Sequence, residues 1–587
     1  MSLISHLSDL VGSAFAGMGL DPALGTVVPS NRPELAQYQC NGAMAAARTA
    51  GRPPREIAEE VAARLRDAGE LEEVGVAGPG FINLTLTDAA LAGWLQRAAD
   101  DPRLGVETDP DPQTIVVDYA GPNVAKAMHV GHLRATIIGD CLARMLDFLG
   151  HKIIRDPHFG DWGLQMGLVI AELERRHPDW PYFDPDHEGP YPEESPVTLE
   201  DLQEIYPSAD ARAGEDEHFA AAAREATVKL QRKSPGYLAL WHHMRRVSLE
   251  AQRRNFSDLG VDFDIWHGES DVADMLEPLV ERFREAGVAE ESDGALIVRV
   301  NEPDDNRELP PLILVSRTGG YLYSTTDVAT VWYRAEQLGA DLTLYVVDAR
   351  QADHFIQVWR AARKGGVAGA MGMEHIRFGT MNGPDGKPFK TRAGGVVSLR
   401  DLIDMVERAA TARLDEARIA TDYPAEERAA IAHMVGIAAL KFGDLHTNRT
   451  SDYLFDLERF SSFEGKTGPY LQYAAVRIRS LLRKASAAGI EDGSILPASA
   501  EAERNLMLDL LSLPEVVGRA AQLRSPHLLA EYAYELAGTF NRFYDTCHVL
   551  SQSDPARQAS WLSLSRVTLA ALVRSLDLLG INVPDRM

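Results

Sequence analysis

Cysteine is nearly absent: Cys40, Cys141 and Cys547 are the only three in 587 residues, and no CxxC pair occurs. A zinc site of the cysteine type is therefore not expected, and so sparse a count suits a reducing, cytoplasmic setting. No run of 18 or so apolar residues appears, so no membrane span is expected. The opening MSLISHLSDLVGSAF lacks a basic stretch ahead of an apolar core and does not read as a signal peptide. Positive charge is scarce too: 59 Lys and Arg stand against 86 Asp and Glu, for a net charge of −27. That argues against a protein coated in nucleic acid, but net charge governs solubility and steering, not local sites. Neither a GxxxxGK[ST] loop nor a well-placed GxGxxG is present, so a nucleotide site here must be built another way.

What is present is ordinary for a globular chain: 45% hydrophobic and 25% charged residues. At roughly 150 residues per domain, the length predicts three or four domains. Residues 1–110 form a first unit. Ser2–Phe15 and Pro54–Ala68 are expected to be helical, and Phe81–Leu86 alternates as a half-buried strand does. A short run of Asp and Pro, 109–112, closes it. The next unit, 111–400, begins with Ile115-Val116-Val117-Asp118, a short apolar run that fits a buried parallel strand. A helix over 133–149 and a strand at 151–154 complete a βαβ unit, with further strands expected at 312–315 and 342–347. This predicts an α/β fold with a parallel sheet. An insertion is expected around 180–260. Its stretch from Asp184 to Glu217 carries a dozen acids against a lone Arg212 and reads as a solvated loop or insertion. Strand signals fade after 400, so 401–454 is expected as a helical connector and 455–587 as an all-helical domain.

The chemistry gathers after the first buried strand, in Ala120-Gly121-Pro122-Asn123-Val124-Ala125-Lys126-Ala127-Met128-His129-Val130-Gly131-His132. Ligands of open α/β sheets bind beyond the carboxyl ends of the strands, and a helix N-terminus attracts phosphate. Gly131 leaves room for a flat ring on the backbone. His129 and His132 can donate hydrogen bonds to phosphate oxygens as charge develops, with Lys126 as a point charge beside them. A zinc reading of the His pair lacks the necessary cysteines or carboxylates.

This stretch resembles the HIGH signature of the class I aminoacyl-tRNA synthetases. The longer string GPNVAKAMHVGHLRATIIGD is similar to the arginyl-tRNA synthetase family specifically. His158-Phe159-Gly160-Asp161-Trp162-Gly163-Leu164-Gln165 and Gly320-Tyr321-Leu322-Tyr323-Ser324-Thr325-Thr326-Asp327 resemble further segments of it, and the likeness runs over nearly the whole chain. The resemblance implies a Rossmann-like catalytic domain, an α+β N-terminal domain that meets the corner of tRNA, and an all-α anticodon-binding domain at 455–587. It also implies that Pro122, Asn123, Val124, Ala125, Lys126, Ala127, Met128, His129, Val130, Gly131 and His132 bind ATP, with His354 and Lys387 further along. Asp118, Asn123, Tyr323, Asp327 and Gln351 would hold arginine, whose planar guanidinium pairs best with carboxylates.

A second family signature, KMSKS, sits on a loop that closes over ATP. The corresponding segment, Gly386-Lys387-Pro388-Phe389-Lys390-Thr391-Arg392-Ala393-Gly394-Gly395, departs from it. Aligned on the Thr-Arg pair, the second lysine of the motif falls on Thr391; aligned on the lysines, it falls on Lys390. Lys126, Lys390 and Arg392 are the candidates for neutralising pyrophosphate, in that order, beside the catalytic His129 and His132. Arg477, Arg479 and Arg483 follow Tyr470 and Tyr473 in a helical pattern without an acid, as expected for contact with RNA. By resemblance Asn541, Tyr544 and the terminal Met587 join them.

The implied reaction forms arginyl-adenylate from L-arginine and ATP, with magnesium on the phosphates and no protein-bound metal, and then charges tRNA(Arg). The implied state is a monomer with no membrane partner. Three alternatives remain: a synthetase for another amino acid, a nucleotidyltransferase that adenylates a small acid without RNA, and a non-catalytic RNA-binding relative.

Overall fold

The computed structural model describes residues 2–32, 35–383, 386–387, 389 and 397–587. Contacts divide them into two units: residues 1–108 with 463–578 and 582–587, and residues 109–462 with 579–581.

In the first unit, β1 (Val27–Pro29), β2 (Tyr38–Cys40), β3 (Leu71–Ala77) and β4 (Phe81–Leu86) form an antiparallel sheet of order β1-β2-β4-β3. β4 buries Ile82, Leu84 and Leu86 on one face, as its alternation predicts. The helices Leu3–Ala16 and Pro54–Leu65 cover that face with Leu7, Val11, Ile57 and Val61. The later part of the unit is helical: Gly468–Ala487, Glu501–Leu511, Leu513–Gln522, Pro526–Thr546 and Pro555–Leu578. Arg504 joins the two parts, donating to Asp88 Oδ1 (2.7 Å) and to the Leu86 carbonyl (2.6 Å).

The second unit contains β5 (Thr114–Tyr119), β6 (Lys152–Asp156), β7 (Ala289–Ser292), β8 (Ala295–Val298), β9 (Leu312–Val315), β10 (Leu342–Val346) and β11 (Gly372–His375). The strands β11-β10-β5-β6 form a parallel sheet in that order. The chain leaves β5 through the helix Val130–Phe148 to reach β6 on one side, while β10 lies on the other. The order therefore reverses at β5, which places a binding crevice at the carboxyl ends of β5 and β10. Strands β7–β9 form a separate antiparallel sheet.

The acidic stretch is not a loop throughout. Thr198 caps a helix, Leu199–Glu215, in a capping box with Asp201, and Leu202, Ile205 and Ala209 are buried. These apolar residues recur at helical spacing among acids that face water, so charge density hid the periodicity. The helices Glu217–Gln231 and Pro235–Asp258 complete the insertion. Among the described residues, no helix is long and apolar enough to cross a membrane.

Candidate active site

The expected strand–helix junction starts earlier than its sequence suggests. The helix begins at Val130, so the HxGH residues form its first turn. His129 is the N-cap. Its Nδ1 accepts the Gly131 N–H (3.0 Å), and its own N–H donates to His132 Nδ1 (3.1 Å). A backbone N–H can only donate, so the His129 Nδ1 accepts and that neutral ring carries its proton on Nε2. His132 Nδ1 lies between the His129 N–H and the His129 carbonyl (3.3 Å), so its role follows the tautomer. Desolvation, with Lys126 nearby, lowers the His129 pKa. Desolvation, then His129, pushes His132 down to about 3. Both imidazoles are therefore neutral at physiological pH, and His129 presents an Nε2–H donor. Gly131 is required for this arrangement, because a Cβ there would lie 2.7 Å from the His129 ring.

The preceding loop holds two non-glycine residues in the left-handed region, Ala120 (φ 78°) and Ala125 (φ 62°). Such strain persists only when the surroundings enforce it. The Ala125 N–H donates to Ser248 Oγ (2.9 Å), Gln252 Nε2 to the Asn123 carbonyl (2.9 Å), and Gln165 Nε2 to the Val124 carbonyl (2.7 Å). Ser248 and Gln252 come from the insertion helix Pro235–Asp258, which has no local motif, and sequence reasoning missed both; Gln165 ends the family-like segment from His158, but its contact with the loop was not foreseen. Gly160 completes the clamp. It exchanges backbone hydrogen bonds with Pro122 and Val124, and a Cβ on it would fall 2.1 Å from Asn123 Oδ1.

A cavity of about 490 Å³ opens between the ends of β5 and β10. Asn123, His129, Gly131, His132, Asp348 and Gln351 line it, and Phe389 closes one side. Lys126 lies on a neighbouring cleft of about 1070 Å³, with Gln203, Arg254 and Arg400. Lys387 lies in a turn where Gly383 N–H donates to its carbonyl (2.8 Å). Lys390 and Arg392 fall outside the described residues.

Asn123 and Gln351 of the candidate arginine residues line that cavity; Asp118, Tyr323 and Asp327 lie in a second cluster. Tyr323 and Asp327 share one face of the helix Tyr323–Glu336. Asp327 Oδ2 is 2.5 Å from His354 Nε2, and the Tyr323 ring packs on His354 at 4.9 Å between centroids. His354 therefore contacts Tyr323 and Asp327 and is not among the residues lining that cavity. Asp118 and Asp156, at the ends of β5 and β6, share the buried Arg334 guanidinium at 2.8 and 2.6 Å. Glu269, whose Oε2 accepts the Trp162 N–H (3.2 Å), is pushed up to about 7 by desolvation, Asp161 and Asp327. Four carboxyl groups against one internal guanidinium leave an excess of negative charge, which suits a cationic side chain. Among the described residues, no group of three or more His, Cys, Asp or Glu could hold a metal ion.

In the first unit, Arg477 stacks over the Tyr544 ring (4.8 Å) and reaches Asn541 Oδ1 (3.5 Å), while Asn541 donates to Tyr470 OH (3.0 Å). Arg479 and Arg483 turn instead to the chain's last segment. Arg479 donates to the Val583 and Pro584 carbonyls and Arg483 to that of Asp585, two residues before Met587.

A parallel sheet that changes direction at β5, with an HxGH turn at the switch point and a helical domain after it, defines a class I aminoacyl-tRNA synthetase. The family model "tRNA synthetases class I (R), catalytic domain" matches residues 98–457, "DALR anticodon binding domain" residues 471–587, and "Arginyl tRNA synthetase N terminal domain" residues 2–86. The arginine–tRNA ligases of Maricaulis maris and Hyphomonas neptunium are each 48% identical to this chain, with both partners covered over their full length. The arginyl-tRNA synthetase structure from Thermus thermophilus superposes with a TM-score of 0.80 at 26% identity, covering 100% of each chain. The Plasmodium falciparum arginyl-tRNA synthetase shares the fold (TM-score 0.81, 24% identity, 100% of this chain and 99% of that one). The chain belongs to the arginyl-tRNA synthetase family, and its activity is the ligation of arginine to tRNA.

Proposed function

We propose that His129 and His132 act on the phosphates of ATP and that Asp118, Tyr323 and Asp327 bind the arginine side chain. Asn123 and Gln351 would hold its amine and carboxylate. What carries this reading is the convergence of Asn123, Gln351 and two neutral imidazoles on one cavity at the switch point, with the carboxylate cluster at the same end of the sheet.

The arginine carboxylate attacks the α-phosphorus in line, and the bond to pyrophosphate breaks. The Nε2–H of His129, with His132 beside it, binds the oxygens on which charge builds, a role worth about 3–4 kcal/mol per donor in comparable sites. The two histidines need no proton transfer, since both rings stay neutral. The other residues of the ATP loop, Pro122 to Gly131, supply backbone and fit. Lys126, Lys387, Lys390 and Arg392 supply positive charge toward the departing pyrophosphate. Magnesium enters on the ATP phosphates as part of the substrate. The 2′-hydroxyl of the terminal adenosine then attacks the arginyl carbonyl and releases AMP. Arg477, Arg479, Arg483, Asn541, Tyr544 and Met587 form the tRNA-contacting surface of the helical part. We divide the chain functionally into 1–110 for the tRNA corner, 111–400 for catalysis, 401–454 as connector and 455–587 for the anticodon, acting as a cytoplasmic monomer.

Pyrophosphate exchange tests the reading. Exchange with arginine is expected only when tRNA(Arg) is present, and Lys126→Ala should slow it by orders of magnitude. Exchange with arginine and no tRNA, or with a different amino acid, contradicts it.

A further inference from the structure

We propose that His158 is an arginine-specificity residue: its imidazole accepts an N–H of the bound guanidinium at the inner wall of the carboxylate cluster. The inference rests on the arginine pocket proposed above. His158 stands two residues past the end of β6, on the ligand side of the parallel sheet. Both ring nitrogens are shielded from water, and neither has a hydrogen-bond partner among the described residues. Nε2 lies 3.9 Å from Asp327 Oδ1, too far for a hydrogen bond. A buried polar group without a partner is rare in native proteins and calls for an explanation.

The backbone gives a second, independent sign. His158 has φ 38°, on the left-handed side that non-glycine residues seldom adopt, histidine more readily than most. The conformation is enforced from three sides. The His158 N–H donates to Asp156 Oδ1 (3.1 Å), the Pro157 carbonyl accepts Gly121 N–H (3.1 Å), and Phe159 N–H donates to the His267 carbonyl (3.0 Å). Glycine would relieve the strain, yet the position carries an imidazole. Strain of this kind concentrates at ligand-binding positions. Asp161, three residues on, shows what a purely structural polar group looks like here: Arg245 and Ser270 saturate it at 2.8 and 2.7 Å.

The chemistry of the gap selects the ligand. Asp118, Asp156, Asp327 and Glu269 all lie near the ring; Arg334 pairs with the first two and the His354 imidazole with Asp327, which still leaves more acid than base and suits a cation. A guanidinium offers five N–H donors in a plane; Asp327 and Glu269, the two carboxyls that Arg334 leaves, would take four of them as bidentate pairs. The His158 ring, with both nitrogens unpartnered among the described residues, has room for one more acceptor and for an N–H to a carboxylate. A lysine ammonium, with three donors on one atom, cannot span these acceptors.

The test is tRNA-dependent pyrophosphate exchange with His158→Ala and His158→Gly, run beside Asp327→Asn. Both His158 variants should raise the arginine KM roughly tenfold to a hundredfold, as expected when a built polar contact is lost. The ATP KM should stay within twofold, and His158→Gly should melt no lower than the parent. His158→Asn, which tolerates the left-handed backbone and restores an acceptor, should recover part of the affinity. An arginine KM within twofold of the parent in whichever His158 variant folds overturns the proposal, as does an equal rise in the ATP KM. If Asp327→Asn alone weakens arginine, only the role of His158 falls. If neither substitution weakens it, the pocket reading falls as well.

Discussion

Charge at the two ligand-facing clusters is set by opposite shifts. His129 and His132 are driven toward their neutral forms by desolvation, His132 to about 3, so they stay uncharged across the working range. Glu269 is driven the other way, to about 7, by desolvation and by Asp161 and Asp327. A raised carboxyl is neutral below its pKa and charged above it, while the arginine guanidinium stays charged throughout. The arginine KM is therefore expected to fall as pH rises from 6 to 8, by about threefold to tenfold, as Glu269 gains its charge beside the cation. The histidine pair should add no limb to kcat in that window. Exchange kinetics at saturating ATP and tRNA measure both. Glu269→Gln should flatten the KM profile; an unchanged limb in that variant would assign it to another group. Sequence alone gives no hint of Glu269, because a glutamate in HGES looks like any helix-start acid until Trp162 and Asp327 are brought to it.

Among the elements, the insertion helix Pro235–Asp258 shows how catalysis leans on a part of the chain that carries none of the recognised motifs. Ser248 and Gln252 are buried and hold the backbone of the loop at Ala125 and Asn123. Removing Gln252 leaves the Asn123 carbonyl without that donor, and a lost buried hydrogen bond costs about 1–3 kcal/mol. Gln252→Ala should cut the rate of adenylation by about tenfold or more, with the tRNA KM unchanged and only a small loss in melting temperature. Single-turnover adenylation with thermal denaturation checks this; full activity would show that the loop holds its strained turn unaided. The same region marks the limit of sequence reading. β5 and the helix after it were legible because a short apolar run and helical periodicity are local signals. The helix start was placed three residues late because two histidines, not Ser or Asp, form the capping box. The helix Leu199–Glu215 was missed because its buried Leu202 and Ile205 sit among acids. Ser248 and Gln252, and the role of Gln165, escape the sequence because a long-range side-chain to backbone bond leaves no spacing to find.

At the scale of the whole molecule, a chain of net charge −27 must bind a polyanion through a few well-placed cations. Arginines on one helix are not equivalent in that task. Arg477 is exposed, stacked on Tyr544 and joined to Asn541 and Tyr470, a set that pairs a cation with aromatic faces as unpaired bases require. Arg479, two residues on, spends its guanidinium on the Val583 and Pro584 carbonyls and so ties down the last segment of the chain. The two substitutions should therefore separate. Arg477→Ala should raise the tRNA KM by about fivefold and reduce the slope of log KM against log salt by about one, with arginine and ATP constants and melting temperature unchanged. Arg479→Ala should lower the melting temperature and weaken tRNA only as far as the terminal segment loosens. Removing residues 582–587 should reproduce its effect on tRNA and make the Arg479 substitution silent. Aminoacylation kinetics across a salt series, with melting curves for the same proteins, decide between them. Equal salt slopes for the two variants would mean that both side chains meet RNA directly and that the contacts of Arg479 with the chain end are given up when tRNA binds.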